Sequence, residues 1–515
     1  MSAANAPSAP LESSSLIDHS TLTDHSTLAQ SGIDLGIDSG IAASGSASGE
    51  SGRDIHVAES PGWLAGRLER LLGGEVFGLS RLSGGASRQT WAFDFQPLQG
   101  TLQKLILRRD PPTAPRTGGM PLEAALFSAA ERAGVPVPLL VASGDADPDL
   151  LGTGFLVMHR VAGETIARKI LRDEIYAHAR SVTVSQLGAA LARLHGAPID
   201  SVSGLERLDP LQKYREVLDE IGHASPTFEL AFRWLKAHRP ARVADVIVHG
   251  DFRLGNVIVD EQGLAAVLDW ELAHLGDPAE DMGWLSVRAW RFGGKGPVAG
   301  LGTYTELLRA YEEAGGIPVA EERIHWWEVA GTLIWGIMCL LQANAHITGA
   351  IRSVELAAIG RRVAEQEHDL LTLLGSAEIN AAPLLTTAPI VTVAGVPSAS
   401  LLLEAVREYL DLDVRSNTSG RTQFHSRVAA NVVAIVEREL SLLPALKTAI
   451  SETLRVLGIS NDDAPQAEIA LAAAIRAGDY DDDLEGVAAA LRPTVTLRLA
   501  IANPKHFETL LAGDE

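Results

Sequence analysis

The spacing of apolar residues changes three times along the chain. WLAGRLERLLG, from Trp63, repeats them every three to four positions and predicts a helix. VFGLSRLSGG and QTWAFDF then follow a two-residue period around a glycine turn, and LQKLILRR continues as a third strand. PLEAALFSAAERAG reads as a helix closed by Gly134, with VPVPLLVAS and GTGFLVMHRV as two further strands. Three strands, a helix and two strands make a small mixed lobe over about residues 59–160.

From Thr183 to Leu374 helical periods take over, in SQLGAALARLHGA, YTELLRAYEEAGG, RIHWWEVAGTLIWGIMCLLQANAH and VELAAIGRRVAEQEHDLLTLLG. Short strands interrupt them around Asp251 and Asp269. A large, mainly helical lobe is therefore expected over about 161–375. SAEINAAPLLTTAPIVTVAGVP has almost no charge, no period and three prolines, which predicts a linker over 376–397. Beyond it LLLEAVREYLD, RVAANVVAIVEREL and LAAAIRAG are amphipathic, so 398–515 is expected to be a second, all-helical domain. Residues 1–58 are rich in Ser, Ala, Gly and Asp, carry the near-repeat DHSTLTDHSTL, and read as a disordered tail.

Composition narrows the function classes. With 46% hydrophobic residues, most of the 515-residue chain is globular. Forty-three Lys and Arg against 65 Asp and Glu give a net charge of -22, which opposes nucleic-acid or anionic-membrane partners at long range while leaving room for a local basic pocket. The only cysteine, Cys339, excludes an internal disulfide and a cysteine-rich zinc site and fits a reducing cytoplasm, the expected location. The strongest apolar run, VAGTLIWGIMCLL, is too short to span a bilayer and reads as a buried helix.

The chemistry concentrates in VIVHGDFRLGNVIVD. If VADVIV and NVIVD are strands, the turn between them projects Asp251 from a fixed loop and returns Asn256 toward the same pocket. Eighteen residues after Asp251, AAVLDWE ends another apolar strand at Asp269. A carboxylate and an amide beside a second carboxylate form a hard, oxygen-rich set that suits Mg²⁺ carrying substrate phosphates. Asp251 is left to orient a hydroxyl, the division of labour of phosphoryl transfer.

These residues, His249-Gly250-Asp251 with Asn256, then Asp269-Trp270 in LDWELAHLGDPAEDMGW, resemble the aminoglycoside phosphotransferase-like branch of the protein-kinase-like fold over about residues 63–374. The resemblance implies an α+β fold class, a bilobal kinase-like body followed by a separate all-α domain. It also implies ATP and Mg²⁺ as cofactors, Asp251 as the acceptor of an alcohol proton, and Asn256 and Asp269 as metal ligands. LSGGASRQTW resembles the nucleotide-positioning loop, with Gly84 and Gly85 allowing close approach and Ser87 bonding phosphate. Arg108 in LILRRDPP stands where lysine is frequent, with Glu123 as its carboxylate partner. The backbone at Met158, His159 and Arg160 corresponds to the interlobe connection that meets adenine. His249 and Asp281 are expected to brace the loop, His195 to be structural, and Trp326, Trp327 and Trp335 to be core.

LRRDPP, GVPVPLLVA and ELAAIGRRVAEQEHDLL look closest to the branch fused to acyl-CoA dehydrogenases in some organisms, which implies a small-molecule alcohol, a hydroxyacyl-CoA thioester, as substrate. Arg361 and Arg362 are candidates to meet its anionic groups. The C-terminal stretch resembles a helical domain of unknown function. Two alternatives stand beside this reading. One is a catalytically silent binding module, for which arginine at position 108 leaves room. The other is an antibiotic kinase, against which RRVAEQEH mixes both charge signs where an aminoglycoside groove expects acidic residues.

Overall fold

A computed structural model describes residues 60–82, 88–111, 119–379, 396–459 and 463–507. The 1–58 tail, most of the 376–397 linker and the Gly84, Gly85 and Ser87 loop lie outside the described residues.

The small lobe opens with helix α1 (Pro61–Leu72). Ser60 starts it by accepting a hydrogen bond from the amide of Trp63 at 3.2 Å, and Pro61 takes the first turn, where its missing N–H costs nothing. Strands β1 (Gly74–Arg81), β2 (Gln89–Pro97) and β3 (Gln103–Arg109), helix α2 (Gly119–Arg132), and strands β4 (Leu140–Gly144) and β5 (Phe155–His159) follow. The five strands form one antiparallel sheet in the order β1-β2-β3-β5-β4. On one face Trp91, Phe93, Phe95, Leu105, Leu107 and Val157 pack with Leu64 and Leu68 of α1. On the other, Leu156 and Met158 join Met120 and Phe127 of α2 in the main core. The central strands therefore alternate between two buried faces.

The large lobe contains α3 (Ala167–Arg172), α4 (Ala177–His195), α5 (Pro210–Ile221) and α6 (Pro226–Ala237), then the short strands β6 (Val246–Val248), β7 (Val257–Asp260), β8 (Gly263–Val267) and β9 (His274–Gly276). β6 pairs with β9 and β7 with β8, both antiparallel. Helices α7 (Ala279–Ser286), α8 (Tyr304–Glu313), α9 (Glu321–Ile347), α10 (Val354–Ile359) and α11 (Val363–Leu373) complete the lobe. The apolar run expected to be too short to span a bilayer belongs to the 27-residue α9, which is long and apolar enough to do so. Its most apolar window is 78% buried inside the protein, with Trp326, Trp327 and Trp335 in the core. The flanking RIHWW and QANAH segments lengthen the helix without adding to the apolar run.

Helices α12 (Ala399–Glu408), α13 (Gly420–Val456), α14 (Ala464–Ala477) and α15 (Leu484–Ala502) form the all-α region. It packs directly on the large lobe. Leu230 of α6 and Leu371 of α11 share a cluster with Ile450, Leu454, Leu471 and Leu491. At the rim, Arg233 pairs with Asp481, and Arg476 with Asp219 at 2.6 Å. This seam also accounts for two arginines that the sequence offered to a substrate. Arg361 pairs with Glu439 of α13 at 2.6 Å, while buried Arg362 pairs with Glu365 at 3.1 Å and lies over the Trp335 ring. Both have carboxylate partners within the protein.

Candidate active site

The loop after β6 turns sharply at Gly250, whose φ of 79° places it in the left-handed region. A Cβ there would sit 2.4 Å from the Leu272 carbonyl oxygen, so only glycine fits. The turn is fixed from below by buried Asp281 of α7, whose carboxylate accepts the amides of His249 at 2.8 Å and Gly250 at 3.0 Å. Burial opposes ionisation of Asp281, but hydrogen bonding and charge from His195, together with His249, hold it below the usual carboxylate range. His195 lies 3.3 Å from Asp281 through Nε2 and 3.0 Å from the Tyr311 hydroxyl through Nδ1, a bridging structural role. His249 is occupied at both nitrogens. Its Nδ1 accepts the amide of Asp251 at 3.2 Å, so its Nε2 donates to the Leu268 carbonyl at 2.9 Å.

This scaffold presents Asp251, which is buried enough to be oriented and open enough to reach a ligand. Its Oδ1 accepts from Trp284 Nε1 at 2.7 Å and Arg253 Nε at 2.8 Å. Its Oδ2 accepts from Asn256 Nδ2 at 2.5 Å. Since the Asn256 amide nitrogen faces Asp251, its carbonyl oxygen is left for a cation. The Asn256 backbone carbonyl accepts the amide of Leu268 at 2.8 Å, which ties Asn256 to the residue before Asp269.

Strand β8 ends at Val267, two residues before the expected end at Asp269. Asp269 instead adopts a φ of 66°, a costly backbone for a non-glycine residue and one that turns its carboxylate into the cleft. Arg108 on β3 reaches across between the lobes, with Nη2 2.8 Å from Asp269 and Nη1 3.1 Å from Glu123 on α2. Burial opposes ionisation of Asp269, but the Arg108 guanidinium outweighs it and keeps the carboxyl below its ordinary range.

Sequence reasoning passed over Arg88, Glu271, Trp284 and Arg253. Arg88 is buried and pairs with Glu123, with Asp110 at 3.3 Å and with Glu271 at 3.4 Å. Glu271, two residues after Asp269, is pushed up to about 8 by burial and then by the charge of Asp269. Its Oε2 is buried without a hydrogen-bond donor. The signal for Glu271 was its position in LDWE; nothing local marked Arg88. Hard oxygens at Asp269, Glu271 and Asn256, with negative charge crowded enough to perturb Glu271, fit a divalent cation and its phosphate ligands.

Met158 and His159 end β5, as the interlobe reading requires, but the amides of His159 and Arg160 donate to Leu139 at 2.8 Å and Lys104 at 2.9 Å. The chain thus spends those two donors inside the small lobe.

Residues 78–327 match the phosphotransferase enzyme family, and residues 416–506 match a domain of unknown function, DUF6285. Over these two stretches the chain is similar to a phosphotransferase-family domain and to DUF6285. Among curated proteins it is similar to acyl-CoA dehydrogenase family member 10 of Mus musculus, 28% identical over 198 residues, 35% of this chain and 18% of that protein. It is likewise similar to family member 11 of Homo sapiens, 29% identical over 243 residues, 44% of this chain and 30% of the relative. It thus spans under a third of the length of these relatives. Similar solved structures include a putative aminoglycoside phosphotransferase from Ralstonia eutropha, at 20% identity and a TM-score of 0.47 over 59% of this chain and 95% of that one. A choline/ethanolamine kinase family protein from Mesorhizobium loti matches at 20% identity and a TM-score of 0.42, over 63% and 97%.

Proposed function

We propose that the protein is an ATP- and Mg²⁺-dependent phosphotransferase acting on the hydroxyl of a small molecule, with a hydroxyacyl-CoA thioester as the acceptor class. The observation that carries this reading is the convergence of Asp251, Asn256 and Asp269 on one side of the interlobe cleft. Asp251 is held by Trp284, Arg253 and Asn256, all donors, so its carboxylate acts as an acceptor toward each and its Oδ2 can take one more proton. As the alcohol oxygen bonds to the γ-phosphorus and the bond to ADP breaks, the hydroxyl proton passes to Asp251. Arg108, which reaches across between the lobes, would offset phosphate charge, with buried Arg88 behind it on Glu123. Asn256 and Asp269, with Glu271 beside them, would hold Mg²⁺, which when bound neutralises charge on the phosphate oxygens. The acceptor class draws support from the acyl-CoA dehydrogenase names of the relatives.

A silent binding module is the second reading, and the Arg108–Asp269 bond favours it, because it places a guanidinium where the ion would go. Thermal shift with ATP decides between the two. The kinase reading expects Mg²⁺-dependent stabilisation that Asp269→Ala abolishes, followed by ATP consumption in a panel of hydroxyacyl-CoAs, hydroxy acids and aminoglycosides. No magnesium dependence in the parent protein would sink it. Turnover with aminoglycosides alone would overturn the acceptor class and leave the reaction standing.

A further inference from the structure

Away from the cleft, a pocket of about 510 Å³ lies between the end of α3, the first turns of α4 and the loop after Trp290. Arg172, Arg180 and Lys295 line it with Ser181, Phe292 and Leu171 add apolar wall, and no carboxylate is among its lining residues. In a chain with a net charge of -22 that is a local reversal of sign. Arg172 and Lys295 are exposed, and among the described residues neither has a carboxylate within ion-pairing distance. Arg180 is aimed by its Nη1, which donates to the carbonyls of Ile170 at 3.0 Å and Asp173 at 2.7 Å. Among the described residues its one ion pair is a 3.9 Å contact to Glu174, whose side chain is 93% exposed.

The loop is built rather than slack. Phe292 and Ala299 have φ of 49° and 54°, and the only other non-glycine residue with positive φ among the described residues is Asp269. A phenylalanine in that region is strained and persists only where its surroundings hold it. The two arms touch backbone to backbone, since a Cβ on Gly294 would sit 2.3 Å from the Gly300 oxygen, and bridges join Gly296 to Gly300 and Val298 to Gly302. Lys295 is thereby carried on a fixed tip. The pocket also adjoins the catalytic loop. A Cβ on Gly255 would lie 4.0 Å from the Phe292 ring, and Arg253, bonded to Asp251, lies over the ring of Trp290 at 4.8 Å.

We propose that this pocket binds the phosphorylated end of the acceptor substrate, an organic diphosphate or bisphosphate, while the hydroxyl at its other end meets Asp251. Guanidinium groups from α3 and α4 facing an ammonium on a rigid loop recognise that chemistry, and the volume suits a group of nucleotide size. The inference rests on the phosphotransferase reading and specifies its acceptor.

The test uses the full chain with its nucleotide cleft saturated by Mg²⁺ and AMP-PNP, and titrates inorganic pyrophosphate by calorimetry. The parent protein binds it, and Arg172→Glu/Lys295→Glu weakens the affinity at least ~10-fold while AMP-PNP affinity is unchanged. Lys213→Glu, a charge reversal elsewhere on the surface, leaves pyrophosphate binding intact. Absence of pyrophosphate binding in the parent, a double variant within twofold of it, or an equal loss in Lys213→Glu would each overturn the proposal. Coenzyme A is then added as competitor. Displacement of pyrophosphate supports a thioester tail; failure to displace it keeps the pocket and removes the thioester. The Mg²⁺-dependent thermal shift judges the kinase reading separately, so the two cannot fail unnoticed together.

Discussion

In the interlobe cleft, Asp269 and Glu271 crowd one space, and Glu271, buried beside a like charge, is pushed up to about 8. At the seam between the large lobe and the C-terminal helices, Asp369 is just as hidden yet is held well below the usual carboxylate range. Burial opposes this, but the charge of His506 and hydrogen bonds from His368 and His506 prevail, with Arg288 adding to them. The cleft also contains Asp269 in a strained backbone, whereas the seam is closed by fully buried Arg492, which donates to the Ser376 carbonyl at 2.6 Å and to Thr372 at 3.2 Å. One region keeps like charges together; the other sets its carboxylate among groups of opposite charge.

The contrast is sharpest at Asp251. Replacing it with asparagine keeps the shape but removes the proton acceptor, so kcat should fall by roughly 10³-fold with Mg²⁺-dependent ATP stabilisation retained. A rate near that of the parent would remove Asp251 from the chemistry. Next in size is Asp281→Ala, which orphans the buried amides of His249 and Gly250 and should cost about 3 kcal/mol in urea unfolding, with turnover lost as well. Arg492→Met breaks the seam without touching the cleft. It should cost about 2 kcal/mol and leave ATP affinity as it was, and a change in that affinity would show that the two regions are not independent.

The smallest effects are in pH dependence, where the two regions have opposite signs. Glu271 has a folded pKa raised above its unfolded value, so its contribution to stability is complete below about 4.3 and lost as pH rises toward about 8. Asp369 has a lowered one, so its contribution is present above about 3.9 and lost as pH falls below that. In metal-free protein Glu271→Gln should flatten the decline on the neutral side, and Asp369→Asn the decline on the acid side. Unfolding midpoints across pH would expose either assignment as wrong if the slopes stayed put.

Local periodicity and turn chemistry carried much of this into the sequence. The strand and helix order of the small lobe, the burial of the α9 tryptophans and the loop around Asp251 are all consequences of spacing between near neighbours. What could not be read are pairings between distant positions. Arg108 meets Asp269 across 161 residues and Arg88 meets Glu123 across 35, and no pattern within a helix or strand announces either. Arg361 and Arg362 misled for a related reason. They read as candidates for a substrate's anionic groups, but a C-terminal helix supplies Glu439 to Arg361, and Arg362 is buried against Glu365. The end of β8 was set two residues late because apolar character continues through Leu268 after the ladder stops.

The apolar cluster that joins Leu230 and Leu371 to Ile450, Leu471 and Leu491 makes the homology boundary and the folding boundary different things. Two families meet along the chain, yet their side chains interdigitate across the junction. Proteolytic excision of the C-terminal region would therefore put leucines into water on both fragments, and calorimetry of the intact protein should record one melting event for the pair.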